Sequence, residues 1–353
     1  MGTHGTYLPA DCGESRAPVS TGMRITVLIC TRDRAEELER TLEALLCPAN
    51  LEVEGWNIVV IDNGSRDRTA QVCQAFEARF PDHFSFCFER KPGKSNALNT
   101  GIAVAKGDVI AFTDDDVTCA PDYLQAIRTV FNQYPVDAVQ GRIVLQCEGG
   151  HPAWLDPFLG LTIGWREDAD EFTDLKGTLC GSNMIVKADV LKRVGAFLPD
   201  LGPGAIGLGE ETELTLRMRA AGYKLGFAPQ ILTWHHLPKE RLTRSFIRRR
   251  FFQQGRAEAY YATLPVPLYR FALYVVKETV LKELAALWHL SSGRPAQALR
   301  CQSEARSHAG FFWQHYLFAK ASSHTSVGSG DVSRMESRSL EGSAHDERVR
   351  NRN

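Results

Sequence analysis

The sequence predicts an α/β protein: a mostly parallel sheet with helices on both faces, followed by a helical extension. Three observations lead there. Between residues 25 and 131, short β-branched runs alternate with segments of helical spacing. Most of these runs are apolar throughout rather than at every second residue, as strands covered on both faces must be. Beyond residue 238 strand patterning stops and helical patterning continues to about residue 320.

Taken in order, residues 25–30 read as a buried strand, 35–46 as a helix, 57–61 as a second buried strand and 69–80 as a helix. Residues 84–88 alternate like a strand, 95–105 are helical, and 109–113 form another buried strand. Residues 121–131 read as a helix with Pro121 in its first turn, where a missing N–H costs nothing. A strand at 138–146 ends the alternation. A Trp- and Gly-rich stretch (151–181) then leads to a helix at 187–194 and a Gly-rich loop at 201–209. A helix at 210–221 and a strand near 225–234 follow. The final segment holds Arg248-Arg249-Arg250 and a long amphipathic run over 269–290. Residues 1–22 read as a loose leader and 321–353, with almost no large apolar residue, as a disordered tail.

A chain of 353 residues with 44% hydrophobic and 24% charged residues can bury a sizeable core. A formal net charge of -1 supplies no overall pull toward nucleic acid or anionic lipid, so any basic surface must be local. The nine cysteines are scattered, odd in number and without a C-x-x-C pair, which argues for a reducing compartment. No signal peptide is visible, and the most apolar late stretch is broken by Lys277, Glu278, Lys282 and Glu283. A cytoplasmic protein, peripheral at the inner face of a membrane at most, is expected.

In parallel sheets ligands bind beyond the carboxyl ends of strands. That singles out the segments around Thr31 and Arg34, around Asp62, and Asp114-Asp115-Asp116. Three adjacent carboxylates repel one another unless a cation or free solvent compensates. They suit a divalent metal gripping a diphosphate, or an Asp-rich turn ahead of the next helix. If repulsion dominates, removing Asp116 should cost no stability. Lys94 precedes a helix start and suits a phosphate, though an ordinary solvated turn would look the same. Glu210 and Glu211 open a helix, where the dipole alone explains them; one of them could also serve as a general base. His235 and His236 end a strand, so they point to opposite faces and only one can join the site. Neither a P-loop nor a G-x-G-x-x-G after the first strand is present, which counts against nucleoside-triphosphate phosphotransfer and dinucleotide redox chemistry.

As a set, residues 25–34, 59–67, 93–101 leading into Thr113-Asp114-Asp115-Asp116, Gly181-Ser182-Asn183, Gly209-Glu210-Glu211 with Arg217 and Gly222, and His235 resemble glycosyltransferase family 2. The resemblance covers about residues 24–236. It implies the GT-A fold with its Rossmann-like sheet, in residues 23–237: a nucleotide-sugar half to about residue 120 and an acceptor half from 121, with a helical extension over 238–320. It implies transfer of a sugar from a nucleoside-diphosphate sugar, with uridine diphosphate the first choice, to an acceptor hydroxyl with inversion. On this resemblance Thr31, Arg34, Asp62, Lys94, Asp114, Asp115, Gly181 and Asn183 hold the nucleotide sugar. Asp116, Asp114 and His235 hold Mn²⁺ or Mg²⁺, and Glu211, or its neighbour Glu210, is the catalytic base. Gln253-Gln254-Gly255-Arg256 matches the Q-x-x-R of processive relatives, but Ala257 stands where they carry Trp, which favours single-sugar transfer. A lipid-linked acceptor and peripheral membrane contact, but no nucleic acid, are the expected partners. The alternatives are a sugar-nucleotide nucleotidyltransferase, or a non-enzymatic module resting on the basic residues Lys239, Arg241, Arg244 and Arg248-Arg249-Arg250.

Overall fold

A computed structural model describes residues 22–261 and 267–326, with side chains to residue 320. In chain order the first half runs β1 (Ile25–Thr31), α1 (Ala35–Leu45), α2 (Pro48–Leu51), β2 (Trp56–Asp62), α3 (Thr69–Arg79), β3 (Phe84–Phe88), α4 (Lys94–Val104), β4 (Val109–Asp114), β5 (Val117–Cys119), α5 (Tyr123–Gln133) and β6 (Ala138–Cys147). Then come α6 (Pro157–Gly160), β7 (Thr173–Asp174), β8 (Met184–Lys187), α7 (Ala188–Val194), α8 (Glu210–Ala220), β9 (Leu225–Leu237), α9 (Arg244–Tyr261), α10 (Leu268–Ser291) and α11 (Pro295–Ser326).

The sheet order is β3-β2-β1-β4-β8-β6-β9-β5, with β7 paired to β9. Strands β1 to β4 are parallel, as the alternation predicts. The later half is mixed: β8 runs antiparallel to both β4 and β6, β5 and β7 run antiparallel to β9, and β6 and β9 are parallel. The short strands β5, β7 and β8 carry no readable period, because two to four residues cannot show one. The helix expected from Pro121 starts at Tyr123, with Pro121 in the preceding turn.

Both faces of the sheet are covered, and the period of two decides which residue goes where. Val27 and Ile29 of β1 pack with Leu38, Leu42 and Ile58 on one side. Leu28 packs with Leu98, Phe112 and Met184 on the other. A third apolar cluster joins Leu155, Leu159 and Ile163 to Ile247, Phe251 and Leu299, fastening the C-terminal helices to the sheet's margin. Helices α9 and α11 meet backbone to backbone: a Cβ at Gly255 would lie 1.9 Å from the Ser307 carbonyl oxygen, and one at Gly310 would lie 2.0 Å from that of Phe252. Any side chain at these two positions would force the helices apart.

The expected leader lies outside the described residues apart from Gly22, and so does the expected tail beyond residue 326. Residues 321–326 are a correction: they continue α11. Once a helix is nucleated, each further residue gains a hydrogen bond, so polar composition alone does not end it.

Candidate active site

The parallel register of β1, β2 and β4 brings Thr31, Asp62 and Asp114 to one edge, since Thr31 pairs with Asp62 and Cys30 with Asp114. Beyond that edge opens a cavity of about 970 Å³, walled on one side by Asp114-Asp115-Asp116 and on the other by α9 and α11. The loop after β1 turns sharply at Asp33, whose φ of 53° is the only positive value at a non-glycine among the described residues. The turn is held by Asp33 Oδ1 accepting from the Arg66 amide and by the Asp33 amide donating to Ser65 Oγ. It aims Arg34 back at the carboxylates.

Every carboxylate of the three meets a cation, Arg34 being shared by two of them. Lys94 Nζ lies 2.6 Å from Asp114 Oδ1, and Ser182 Oγ donates to Asp114 Oδ2 at 2.6 Å. Asp115 accepts from Thr31 Oγ1 at 2.8 Å and from Arg34 at 2.8 Å. Asp116 Oδ2 accepts from Arg34 at 2.7 Å and from Arg241 at 2.9 Å. Burial pushes Asp115 up to about 6 against the pull of Arg34. At Asp116 burial is outweighed by His235, Arg34 and Arg241, which hold it far below the usual carboxylate range. At Asp114 burial again opposes ionisation, and the adjacent Lys94 lowers the carboxyl nonetheless. Asp114, and then Glu211 and Glu210, raise Lys94 well above its ordinary value in spite of burial. The compensation demanded by three adjacent aspartates is therefore met by the chain itself. Removing Asp116 does not merely relieve repulsion: it takes from Arg241 its carboxylate partner and leaves Arg34 with Asp115 alone.

His235 and His236 separate as strand geometry requires. His236 Nε2 pairs with Thr118 Oγ1 at 2.6 Å, whereas His235 faces Asp116. His235 Nε2 stands 3.3 Å from Asp116 Oδ1, off the line a hydrogen bond needs, and both its ring nitrogens are buried without a hydrogen-bond partner. An orphaned imidazole beside one carboxylate oxygen is a donor set that fits Mn²⁺ or Mg²⁺, which commonly take few protein ligands and complete their shell with phosphate and water. Asp114, the other expected ligand, turns its oxygens to Lys94 and Ser182. Among the described residues no three His, Cys, Asp or Glu side chains gather as a preformed metal cage.

The two glutamates at the start of α8 diverge. Glu211 reaches the cavity wall with Oε1 3.8 Å from Lys94 Nζ. Gly181 makes the room: a Cβ there would stand 2.3 Å from Glu211 Oε1 and 3.4 Å from Lys94 Nζ. Glu210 turns under the 202–208 loop, 2% exposed, where a Cβ at Gly202 would be 2.9 Å from its carboxyl carbon. Burial, and then the charge of Glu211, push Glu210 up to about 8.

Asn183 and Asp62, both expected to hold the nucleotide sugar, are buried and do not line the cavity. Asn183 is wholly buried; its oxygen accepts from Tyr123 Oη and its amide donates to the Arg142 and Ile231 carbonyls, pinning β8 to β6 and β9. Asp62 accepts from the Ser65 amide and fixes the turn after β2, while Asn63 beside it lines the cavity. Arg241 and Ser182 were not legible as site residues. Arg241 meets Asp116 across 125 positions, and no local motif marks it.

The Arg248–Arg250 cluster dissolves on the helix. Arg248 bonds Gln302, Arg249 lies over the Phe246 ring at 5.2 Å, and Arg250 turns into the cavity to donate to the Thr162 carbonyl. Successive helix residues point about 100° apart, so the three make no common basic face.

Comparison with known proteins adds four findings. Residues 26–195 match the family model described as Glycosyl transferase family 2. Over 229 residues the chain is 27% identical to the probable glycosyltransferase YdaM of Bacillus subtilis, covering 61% of this chain and 51% of that protein. Over 219 residues it is 25% identical to the glycosyltransferase AglE of Haloferax volcanii, covering 60% and 66%. The chain thus spans about half to two thirds of the length of these curated relatives. Among solved structures, the mannosyltransferase PcManGT from Pyrobaculum calidifontis, in complex with GDP-Man and Mn²⁺, aligns with a TM-score of 0.52 at 18% identity over 92% of this chain and 81% of that one.

Proposed function

Residues 26–195 are a glycosyltransferase family 2 domain of GT-A fold, and from that premise we propose that the chain moves a single sugar from a nucleoside-diphosphate sugar to an acceptor hydroxyl with inversion. The observation that carries this is the row Glu211, Lys94, Asp114 along one cavity wall, spaced 3.8 and 2.6 Å, beside the Asp116–His235 pair. It sets a cavity-facing carboxylate next to groups suited to a diphosphate.

In this reading Glu211 accepts the proton of the acceptor hydroxyl while that oxygen attacks the anomeric carbon. The bond to the diphosphate breaks on the opposite face, and one displacement inverts the centre. Lys94, Arg34 and Arg241 lend positive charge to the departing nucleoside diphosphate, with Thr31 and Asn63 at the nucleotide end. Asp116 and His235 would hold a divalent cation, Mn²⁺ or Mg²⁺, which supplies further neutralisation of the diphosphate. Residues 23–120 serve the donor, while residues 121–237 and the helices of 238–320 serve the acceptor. Uridine diphosphate is the first nucleotide to test, and a lipid-linked acceptor met by peripheral contact at the cytoplasmic face of a membrane belongs to the same reading. No described helix is long and apolar enough to cross a bilayer.

The test pairs a donor screen with one substitution. Thermal shifts with UDP-, GDP- and dTDP-sugars, with and without Mn²⁺, identify the donor, and release of nucleoside diphosphate measures turnover. Glu211→Gln should bind donor unchanged and lose turnover by about a hundred- to ten-thousand-fold. Full turnover in Glu211→Gln, or pyrophosphate release from a nucleoside triphosphate by the wild type, would replace the proposal.

A further inference from the structure

Helix α10 leaves one face bare. Tyr269, Leu273, Val276, Val280, Leu284 and Leu287, spaced three or four apart, are 54–69% exposed, and Tyr274, Leu281 and Trp288 widen the stripe. The opposite face is committed to α11: Phe271 packs on Phe311 with ring centroids 5.2 Å apart, Lys282 pairs with Glu304, and Glu283 accepts from Gln302. These contacts run antiparallel, which puts the exposed Trp313 and Tyr316 of α11 toward the Tyr269 end of α10.

Its charges are sorted the same way. The acidic residues of α10, Glu278 and Glu283, sit half-buried on the α11 side. The charges on the bare face, Arg270 and Lys277, are both basic and exposed. At each end a basic group lies over an aromatic ring: Arg270 over Tyr269 at 5.9 Å, and Arg294 over Trp288 at 5.5 Å. The two rings are 19 residues apart, about 28 Å of helix.

We propose that this face of α10 lies flat in the headgroup region of an anionic lipid monolayer, with Leu273, Val276, Val280, Leu284 and Leu287 among the acyl chains. An apolar stripe two residues wide, basic at its edges and aromatic at its ends, is the pattern of an interfacial helix. The charges on α10 forbid it to cross, but they suit a helix lying on the surface. A second copy of the chain fits less well: a helix–helix seam is narrow and flanked by charges of both signs, and here the bare face offers Arg270 and Lys277 no acidic partner. Tyr274 links the face to the cavity, because it is 44% exposed in the stripe and its ring lies 5.7 Å from that of His308, tilted by 58°, and His308 lines the cavity. The inference gives the membrane contact of the proposed function a face and a lipid charge, and it stands whether or not the transfer chemistry does.

Sedimentation of the full chain with phosphatidylcholine vesicles, with and without about 30% phosphatidylglycerol, tests it. The wild type should sediment with the anionic vesicles and little with the neutral ones. The triple variant Leu273→Glu/Val280→Glu/Leu287→Glu should lose at least about tenfold in partitioning, since apolar contact is its main source. Arg270→Gln/Lys277→Gln should lose the preference for phosphatidylglycerol. All these positions are exposed, so the melting temperature and the nucleotide-induced thermal shift should be those of the wild type, which separates failure here from failure of the transferase reading. Three outcomes would overturn the proposal: wild type left in the supernatant, equal sedimentation of wild type and triple variant, or a wild-type dimer that the triple variant breaks without any vesicle binding.

Discussion

Glu210 and Glu211 are adjacent and chemically alike, yet the fold gives them opposite environments. The sequence shows two acids at a helix start. It does not show that Gly181 opens space for one while the 202–208 loop closes over the other, because both facts depend on distant backbone. The difference is measurable through pH. Glu210 is pushed up to about 8 from an ordinary value of 4.5, so the folded state holds its proton where the unfolded chain has released it. With the folded pKa above the unfolded one, stability declines as pH rises from about 4.5 to about 8, and the loss then levels off. Glu210→Gln should remove that decline, gaining up to roughly 3 kcal/mol over wild type above pH 8. Urea unfolding of both proteins at pH 5, 7 and 9 checks it, and an unchanged difference across the series would show that Glu210 is ionised in the fold. The aspartate triplet is a parallel case. Its need for positive charge was legible from three adjacent residues, but the arginine answering from position 241 was not.

At the scale of elements, the alternation from β1 to α5 was legible because each unit is long enough to show its period. The strands that complete the sheet were less so: β5, β7 and β8 exist by virtue of partners far along the chain. Helix α9 shows how a motif can be recognised and its setting missed. Ala257 follows the Gln253–Arg256 block and is wholly buried against the start of α8, where a Cβ at Gly209 would be 2.5 Å from the Ala257 Cβ. Gly209 itself has a φ of 97°, a conformation that glycine adopts at little cost. The tryptophan of processive relatives therefore has no room here without pushing α9 off α8. Ala257→Trp should destabilise by about 1–3 kcal/mol or more, as overpacked cores do, and lower turnover because Glu210 and Glu211 follow Gly209 directly. A differential scan and the nucleotide-release assay report both. A variant with unchanged melting temperature and turnover would mean that α9 yields more easily than its packing indicates.

Taken whole, the molecule is larger than its recognisable part. The family match ends at residue 195, while the cavity is finished by Glu211, His235, Arg241, Arg250 and His308. Of that later portion Glu211 and His235 were legible from their motifs, whereas residues beyond 238 read only as helices and a basic run, since their role depends on what they face. Strand β9 joins the two portions, lying between β6 and β5 and carrying β7 as well. A chain cut after residue 195 should fail to fold cooperatively, because β5 and β6 would lack their common partner. A chain cut after residue 237 should keep the complete sheet and a cooperative transition by circular dichroism. Equal behaviour of the two fragments would refute this role for β9. The position of β9 also bears on synthesis. During translation β5 and β6 leave the ribosome as bare edges and stay so until residue 237 has emerged, which is when strands most readily pair wrongly. The protein is thus most exposed to aggregation while still being made, and slowing its translation near β9 should lengthen that interval.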